Sequence, residues 1–352
     1  KPIMVIGILL LVAVLFLGSD TKGAVRWIQI GPITLQPSEI MKFAVVLFFA
    51  DYADKYEHKM RLHDNILPNL KRLALALCSL GLGAVAFLLI DIRAIGVIFF
   101  LITFGLAVYI VLPINLKKEI PGIYYGIFPY IGILLVVGAL LYLQPHLSGL
   151  VIIAGIIFFM MVIGGTKKCY LFTGAIIGVA AVVLLATTLS HSSARLMVWK
   201  DPFAYFKGDG WQPAQSLYAI GSGGFWGVGF GNSRQKHLFL PEPQNDYIFS
   251  IWCEEMGFIG AFLVICAFAF FIYRGIVIGL RAPDRFSSML VIGIIMHVGL
   301  QVILNIAVVT NTLPSTGISL PFFSYGGSSL VILLAEMGVV LSISKLTSVE
   351  KT

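Results

Sequence analysis

The chain has 352 residues, of which 59% are hydrophobic and only 12% are charged, and its mean hydropathy is +0.96. A soluble domain of this size and composition would have too little polar surface to face water, so a soluble protein is excluded. The formal net charge of +7 comes mostly from lysines and arginines in loops that we predict to be cytoplasmic. It therefore does not indicate a nucleic-acid-binding protein.

Ten apolar runs follow one another along the chain, each about long enough to cross a bilayer core as a helix. Their continuous hydrophobicity favours helices over the strands of a barrel, in which apolar and polar residues alternate. The sequence therefore predicts an all-α fold, a polytopic integral membrane helical bundle that forms one transmembrane domain over residues 1–352. The predicted spans are roughly 1–17, 37–53, 73–90, 94–113, 122–143, 147–164, 170–190, 248–273, 286–309 and 326–345.

The distribution of lysine and arginine predicts the orientation of these spans. If Lys1 is cytoplasmic, most of these residues fall in inside loops, which is the bias found in membrane proteins. Both termini are then cytoplasmic, and a long extracellular loop at about 191–247 precedes the eighth span. A loop of this length without an evident helix or strand pattern is usually functional.

A glycine-rich stretch, GSGGFWGVGFG at 221–231, lies in this loop. It does not fit the nucleotide-binding pattern G-x-G-x-x-G, because no register supplies the third glycine and no strand precedes it. We interpret it as backbone that folds tightly at the membrane surface. Its exposed N–H groups, followed by Arg234 and Lys236, are candidates for holding a lipid phosphate or pyrophosphate.

Four carboxylates crowd the stretch LFLPEPQNDYIFSIWCEEMGFIG at 238–260. Glu242 and Asp246 fall at the outer water interface, where Asp246 either takes part in chemistry or caps the N-terminus of the following helix. Glu254 and Glu255 fall within the predicted span. There they either relay protons or, as we favour, pack against partners inside the bundle.

Polar residues at the edges of other spans form further candidate sites. Glu39 and Lys42 are i,i+3 neighbours on a helix that can begin at Pro37, and they either form a buried pair or line a substrate cavity. Gln301 and Asn305 are i,i+4 neighbours, and we expect them to hydrogen-bond between helices.

The motifs on the predicted outer face resemble those of the SEDS family (shape, elongation, division and sporulation), the bacterial peptidoglycan glycan polymerases of the FtsW/RodA/SpoVE type. The sequence GNSRQK favours the FtsW/SpoVE division and sporulation branch. Relative to the family, the first two helices are expected to be absent, and an extra hairpin is predicted at about 84–140. The matching motifs are GAVRWIQIGPITLQPSEIMK, QPHLSG, QSLYAIGSGGFWGVGFGNSRQKHLFLPEPQNDYIFSIWCEEMGFIG and LPSTGISLPFFSYGGSSL, in family order from residue 23 to 330.

The resemblance implies a glycosyltransferase, a peptidoglycan glycan-strand polymerase acting in cell division or shape. It would transfer lipid-linked disaccharide-peptide (lipid II) with inversion and release undecaprenyl pyrophosphate. Such a reaction needs a base for the attacking sugar hydroxyl and charge stabilisation for the leaving pyrophosphate. Asp246 matches the essential aspartate of the family and is the expected catalytic base. The alternative is a lipid II flippase, which would need no base at Asp246.

The resemblance also implies the other components of the site. A divalent cation, Mg²⁺ or Mn²⁺, is possible at Asp246 and Glu242, and no organic cofactor is expected. The candidate substrate-binding residues are Arg195, Arg234, Lys236, Glu242, Glu39, Lys42, Ser324 and Tyr325.

The expected partners are lipid II, undecaprenyl-linked glycan, a class B penicillin-binding protein (a transpeptidase) and other divisome or elongasome membrane proteins. No nucleic acid is expected. The expected location is the bacterial cytoplasmic (inner) membrane, with the active face extracellular or periplasmic.

Overall fold

A computed structural model describes residues 2–21, 24–30, 33–62, 120–176, 178, 190–237, 239–241 and 243–349. The described part of the chain is mostly helical. The helices are α1 (Pro2–Leu17), α2 (Pro37–Met60), α3 (Pro121–Gly126), α4 (Phe128–Leu143), α5 (Leu147–Gly164), α6 (Ser190–Lys200), α7 (Trp211–Gly223), α8 (Ile248–Leu280), α9 (Arg285–Val309) and α10 (Gly327–Val349). The strands are β1 (Ser19–Thr21), β2 (Ala24–Ile30) and β3 (Ile33–Leu35).

Apolar helices confirm a multi-pass membrane protein. Within the described residues, five helical segments are long and apolar enough to cross a membrane, and α1 is a shorter apolar helix. The predicted count of ten is not confirmed, because the spans at 73–90 and 94–113 and most of 170–190 lie outside the described residues. The five segments are Pro121–Leu143, Leu147–Gly164, Ile248–Leu280, Arg285–Val309 and Gly327–Leu346.

A three-stranded antiparallel sheet, in the order β1-β2-β3, connects α1 to α2. The predicted helical membrane bundle is confirmed, and this short sheet is an element that the sequence analysis did not predict. The sequence of β2, AVRWIQI, is rich in β-branched and aromatic residues, which favour strands. These strands are too short to produce a clear alternating pattern, and the sheet depends on pairing between them.

The segment 191–247 was predicted to be a loop without regular structure, and this is wrong, because it contains most of α6 and all of α7. The Asp201 carboxylate, just after α6, accepts hydrogen bonds from the main-chain N–H groups of Phe203 and Ala204. On α7, the Ser216 hydroxyl donates to the main-chain oxygen of Val309 at 2.7 Å. Polar side chains of this segment thus satisfy its backbone and attach it to the bundle.

Helix α9 lies at the centre of the larger of two compact units and packs against α5, α7, α8 and α10. It begins after Asp284, whose carboxylate accepts hydrogen bonds from the N–H and hydroxyl of Ser287, as an N-cap does. These hydrogen bonds lower the pKa of Asp284. The cap fixes where α9 begins, and four other helices pack against it.

The larger unit comprises Lys1–Lys55, Tyr130–Gly164 and Lys168–Thr352. The smaller unit comprises Tyr56–Pro129 and Gly165–Lys167. In its described part, Tyr56 stacks on Tyr125, with ring centroids 5.1 Å apart, and the Thr166 hydroxyl donates to the main-chain oxygen of Gly126. Of the predicted extra hairpin, residues 84–119 lie outside the described residues, so the hairpin stays a prediction.

Candidate active site

Strand β2 and the turn between α4 and α5 meet through Arg26. Its Nη2 atom donates a hydrogen bond to the main-chain oxygen of Pro145. Two of the four sequence motifs, GAVRW and QPHLSG, therefore contact each other although 119 positions separate these residues. The contact fixes the guanidinium group of Arg26, which we did not select as a candidate from the sequence.

A second arginine approaches from α6. The Nη1 atom of Arg195 donates to the main-chain oxygen of Ser315 at 3.4 Å, which connects the 191–247 segment to the loop before α10. Burial, followed by the positive charge of Arg195, lowers the pKa of Arg26, while the negative charge of Asp246 raises it. The guanidinium group of Arg26 is therefore close enough to both Arg195 and the Asp246 carboxylate to interact with them electrostatically.

Asp246 is half-buried in the turn before α8. Its main-chain oxygen accepts a hydrogen bond of 2.8 Å from the side-chain amide of Asn305, which also donates to the main-chain oxygen of Ile318 at 2.6 Å. On the other side lies Gly317, where a Cβ atom would stand 3.2 Å from Oδ2 of Asp246. The backbone of Asp246 is thus held by α9, and its carboxylate lies against the loop before α10.

The alternative role of Asp246 as a helix cap is wrong, because Tyr247 occupies the N-cap position of α8. Tyr247 is buried, and its side chain is among the largest that are fully enclosed. Burial, followed by the negative charge of Asp246, raises the pKa of the Tyr247 phenol, and Arg195 opposes this shift. The phenol of Tyr247 is therefore uncharged and packs as a buried side chain next to Asp246.

Glu39 and Lys42 form an ion pair on α2, with Nζ of Lys42 2.7 Å from Oε2 of Glu39. The Lys42 side chain is only 2% exposed. His146 lies close enough to Arg26 and Lys42 to interact with their charges. Burial first, and then these two positive charges, lower the pKa of His146 to about 3. His146 is consequently neutral at physiological pH and adds no charge to the site.

The loop before α10 places Ser324 and Tyr325 in different surroundings. The hydroxyl of Ser324 accepts a hydrogen bond of 2.7 Å from the N–H of Leu320, and Ser324 lines a pocket that Glu39 also lines. The N–H of Tyr325 donates to the main-chain oxygen of Gln244 at 2.8 Å, while its side chain is 80% exposed. Tyr325 thus connects this loop to the turn that carries Asp246.

Glu254 and Glu255 were predicted to pack against partners inside the bundle, and both are buried against partners, which come from the 231–236 segment. Glu254 accepts hydrogen bonds from the hydroxyl of Ser233 and from the N–H groups of Arg234 and Gln235. Glu255 likewise accepts hydrogen bonds from the N–H groups of Gly231 and Ser233 and from the ammonium of Lys236. Two adjacent carboxylates on α8 therefore hold the 231–236 segment.

We call the hydrogen bonds from the 231–236 segment to Glu254 and Glu255 the clasp. The clasp includes the side chain of Lys236 but only the backbone of Arg234. Nζ of Lys236 lies 2.7 Å from Oε1 of Glu255, and it also donates to the main-chain oxygen of Gly231. The guanidinium-bearing side chain of Arg234 is exposed instead. Both residues lie in a second cluster, built on α8, and their predicted contact with substrate stays a prediction.

The glycine-rich stretch folds tightly against α8, as predicted. Gly227 and Gly257 cross so closely that a Cβ atom at Gly257 would stand 2.3 Å from the nitrogen of Gly227. Gly257 has φ +64 and interrupts the helical geometry of α8. The prediction of exposed N–H groups is wrong for Val228 and Gly229, which donate to the main-chain oxygens of Glu254 and Glu255.

Arg26, His146 and Asn305 were missed as individual site residues by the sequence reasoning. A single arginine within the apolar stretch AVRWIQI was the available signal for Arg26, and the motif QPHLSG contained His146. Asn305 was expected to bond between helices, whereas its amide connects α9 to two loop segments.

The described residues do not build a metal site around Asp246. Among them, no group of three or more His, Cys, Asp or Glu side chains is placed to hold a metal ion. Asp246 interacts with Arg26, and Glu242, its predicted partner in holding a cation, lies outside the described residues.

Comparisons with known proteins agree with the motifs. A family model described as "Cell cycle protein", for FtsW, RodA and SpoVE, matches residues 1–116 and 97–349. Stage V sporulation protein E of Bacillus subtilis (strain 168) is 33% identical over 347 residues, covering 98% of this chain and 78% of the relative. A probable peptidoglycan glycosyltransferase FtsW of Saccharophagus degradans is 31% identical over 347 residues, covering 97% of this chain and 74% of the relative.

Two solved structures share the fold. A chain from a study of polymerization and crosslinking by a peptidoglycan synthase complex superposes with a TM-score of 0.67 at 23% identity, covering 98% of this chain and 80% of the other. The rod shape determining protein RodA of Thermus thermophilus gives a TM-score of 0.57 at 24% identity, covering 98% and 77%.

Proposed function

Because this chain belongs to the FtsW/RodA/SpoVE family of cell cycle proteins, we propose that it is a peptidoglycan glycosyltransferase. It polymerises glycan strands from lipid II and releases undecaprenyl pyrophosphate. The similarity to Stage V sporulation protein E and to FtsW proteins supports a role in cell division or sporulation.

The charge of the site is the observation that carries the proposal. Arg26 and Arg195 contribute two positive charges and Asp246 one negative charge, so this cluster has a net charge of +1. Glu39 and Lys42 cancel each other, and His146 is neutral. A partly buried site with excess positive charge beside one carboxylate suits an anionic leaving group and a reaction that releases a proton.

In the proposed reaction, the 4-hydroxyl oxygen of the acceptor's GlcNAc forms a bond to the anomeric carbon of the donor's MurNAc. The bond from that carbon to the pyrophosphate oxygen breaks, and its electron pair leaves with undecaprenyl pyrophosphate. Asp246 takes the hydroxyl proton as the new bond forms. Attack opposite to the leaving group inverts the anomeric configuration.

The arginines act on the leaving group in this scheme. Hydrogen bonds to the main-chain oxygens of Pro145 and Ser315 orient their guanidinium groups. A guanidinium group presents several N–H donors in a fixed plane, which suits pyrophosphate oxygens. Preorganised positive charge of this kind stabilises the charge that develops as the bond breaks.

Glu39 and Lys42 extend the site on α2. Their nearly buried pair and the pocket near Glu39 are consistent with a cavity that receives the lipid-linked sugar. We propose that Ser324 and Tyr325 lie at the mouth of this cavity. We propose a class B penicillin-binding protein as partner, the bacterial cytoplasmic membrane as location and the outer face of that membrane as the side of the active site.

The flippase alternative is not favoured. A flippase would bind and release the lipid head group on both sides of the membrane and would require no proton acceptor. Asn305 holds the backbone of Asp246, Gly317 lies against its carboxylate and Arg26 is near, so the carboxylate has a defined position that a flippase would not use.

The test is polymerisation by purified protein supplied with labelled lipid II, with and without the cognate class B penicillin-binding protein. We expect wild type to produce glycan strands and Asp246→Asn to lose about 10²–10⁴-fold in rate, the usual contribution of a general base. Asp246→Asn retains the size of the side chain, so we expect this variant to fold like the wild-type protein. Asp209→Asn, on the exposed segment before α7, is the matched control and should retain full activity.

Polymerisation that survives both Asp246→Asn and Asp246→Ala would contradict the proposed base. Transport of lipid II across vesicle membranes without polymerisation by wild type, in the presence of the partner, would instead favour the flippase. The two results separate a wrong residue from a wrong activity.

A further inference from the structure

A histidine and a glutamate meet deep inside the bundle, outside the site described above. Nδ1 of His297 on α9 lies 3.3 Å from Oε2 of Glu336 on α10. The exposed fractions of the two side chains are 4% and 0%. Each residue lies near the middle of its apolar helix, where a titratable side chain is rare and costly.

The polar atoms of this pair are not satisfied by other groups. Among the described residues, neither nitrogen of His297 and neither carboxylate oxygen of Glu336 has a hydrogen-bond partner. The distance between Nδ1 and Oε2 nevertheless permits an ion pair or a shared proton. Buried polar atoms without partners are uncommon in folded proteins. We therefore expect a bound ligand to supply hydrogen bonds to these four atoms.

Both side chains line a pocket that leads towards α2. From α2 it is lined by Glu39, which pairs with Lys42, and from α9 by Gln301. Ser324 lines it from the loop before α10, and Ser329 from α10 itself. The pocket thus connects the buried pair to a carboxylate of the proposed substrate cavity through polar groups that can hydrogen-bond to water.

The net charge of the pair decides which ligand fits. With no proton the pair carries one buried negative charge, and with two protons it carries one buried positive charge. With one proton it is neutral overall, either as imidazolium and carboxylate or as imidazole and carboxylic acid. Because an isolated charge in an apolar interior is far more costly than a neutral pair, burial favours the state with one proton.

We propose that His297 and Glu336 form a proton-binding site within the membrane, which holds one proton and exchanges it with water through the pocket to Glu39. The ligand is the proton itself. The described residues place no group of three metal-ligating side chains here, so the donor set does not suit a metal ion. This inference does not depend on the proposed glycosyltransferase activity.

The test uses the full chain in lipid vesicles at about pH 8, where free imidazole and free carboxylic acid groups have both lost most of their protons. We expect either the infrared carbonyl band of a protonated carboxyl group or the nitrogen NMR signal of an imidazolium. Glu336→Gln should abolish whichever signal is present. His297→Gln should produce the carbonyl band, because the remaining Glu336 can avoid a buried charge only by protonation.

Two further measurements make the inference falsifiable. The proton signal should shift when folded protein is transferred to D₂O, since the pocket provides an exchange route. Glu57→Gln, which changes a glutamate elsewhere on α2, should leave the signal unchanged. Wild-type protein with an ionised Glu336 and a neutral His297 at this pH would overturn the proposal. A signal that does not shift in D₂O would overturn the exchange route.

Discussion

The side-chain amide of Asn305 holds the main-chain oxygen of Asp246 at 2.8 Å. Asn305 is fully buried on α9, which has the largest buried share among the described spans, and the same amide nitrogen also donates to the main-chain oxygen of Ile318. The proposed base is therefore positioned by a residue that contacts it only through the backbone. The orientation of the Asp246 carboxylate depends on α9 as much as on its own segment.

Replacing Asn305 with leucine should impair both stability and activity. The change removes the donor for two main-chain oxygens and leaves them unpaired in a buried region, which costs about 1–3 kcal/mol for each such group. We expect a lower unfolding temperature in detergent and a lower kcat for polymerisation. Asn232→Ala, at an exposed position in the 231–236 segment, should change neither. Unchanged kcat in Asn305→Leu would show that Asp246 needs no such support.

The two arginines should contribute separately to catalysis. Arg26→Gln and Arg195→Gln should each reduce kcat by about 10²–10³-fold, the usual effect of removing one preorganised group that stabilises the transition state. Arg195→Lys should recover only part of the rate, because lysine lacks the planar set of donors. Steady-state polymerisation kinetics measure these effects. Lys200→Ala, at the exposed end of α6, serves as the control, and a loss of equal size there would indicate nonspecific electrostatics.

The buried His146 should make the protein less stable in acid. Its pKa is lowered from 6.5 to about 3 in the fold, so between these values the unfolded chain binds more protons than the folded one. Stability contributed by neutral His146 is complete above the unfolded pKa and is lost as the pH falls below it, by on the order of 3 kcal/mol near pH 4.

Unfolding temperatures measured between about pH 4 and pH 7.5 test this expectation, since the histidine in the unfolded chain titrates within that window. His146→Phe cannot be protonated and should flatten the dependence. His237→Gln, at an exposed histidine, should retain the wild-type slope. If His146→Phe and wild type lose stability equally in acid, another group is responsible.

The clasp formed by Glu254 and Glu255 should protect the 231–236 segment from proteolysis. Glu255→Ala removes the acceptor for two N–H groups and the partner of Lys236, and losing a hydrogen bond to a charged group costs roughly 1.5–3 kcal/mol. We expect trypsin to cleave after Arg234 and Lys236 at least about tenfold faster, as local opening becomes more frequent. Mass spectrometry of a digestion time course measures the rate.

A glutamate outside the clasp provides the comparison. Glu57→Ala removes the carboxylate that pairs with Arg61 at the end of α2 and should leave cleavage after Lys236 at the wild-type rate. Equal protection of Lys236 in Glu255→Ala and wild type would mean that the backbone contacts between the glycine-rich stretch and α8 are sufficient to hold the segment.

The apolar segments of the fold were predictable because their signal is local. A continuous hydrophobic run must satisfy its own backbone hydrogen bonds within a bilayer, so it forms a helix whatever its neighbours are. The start of α2 at Pro37 and the limits of α5 and α9 followed directly from the sequence. The short strands β1 to β3 and the helices α6 and α7 did not, because their composition is mixed and tertiary contacts stabilise them.

The membrane bundle, its family and Asp246 as the residue on which the proposed chemistry depends could all be inferred from the amino-acid sequence. Only the tertiary structure brought Arg26 and Arg195 to that carboxylate, since the three lie on different elements and no local pattern relates them. It also assigned Glu254 and Glu255 to the 231–236 segment and paired His297 with Glu336. Such contacts join residues distant in the chain, and packing between elements decides which of them form.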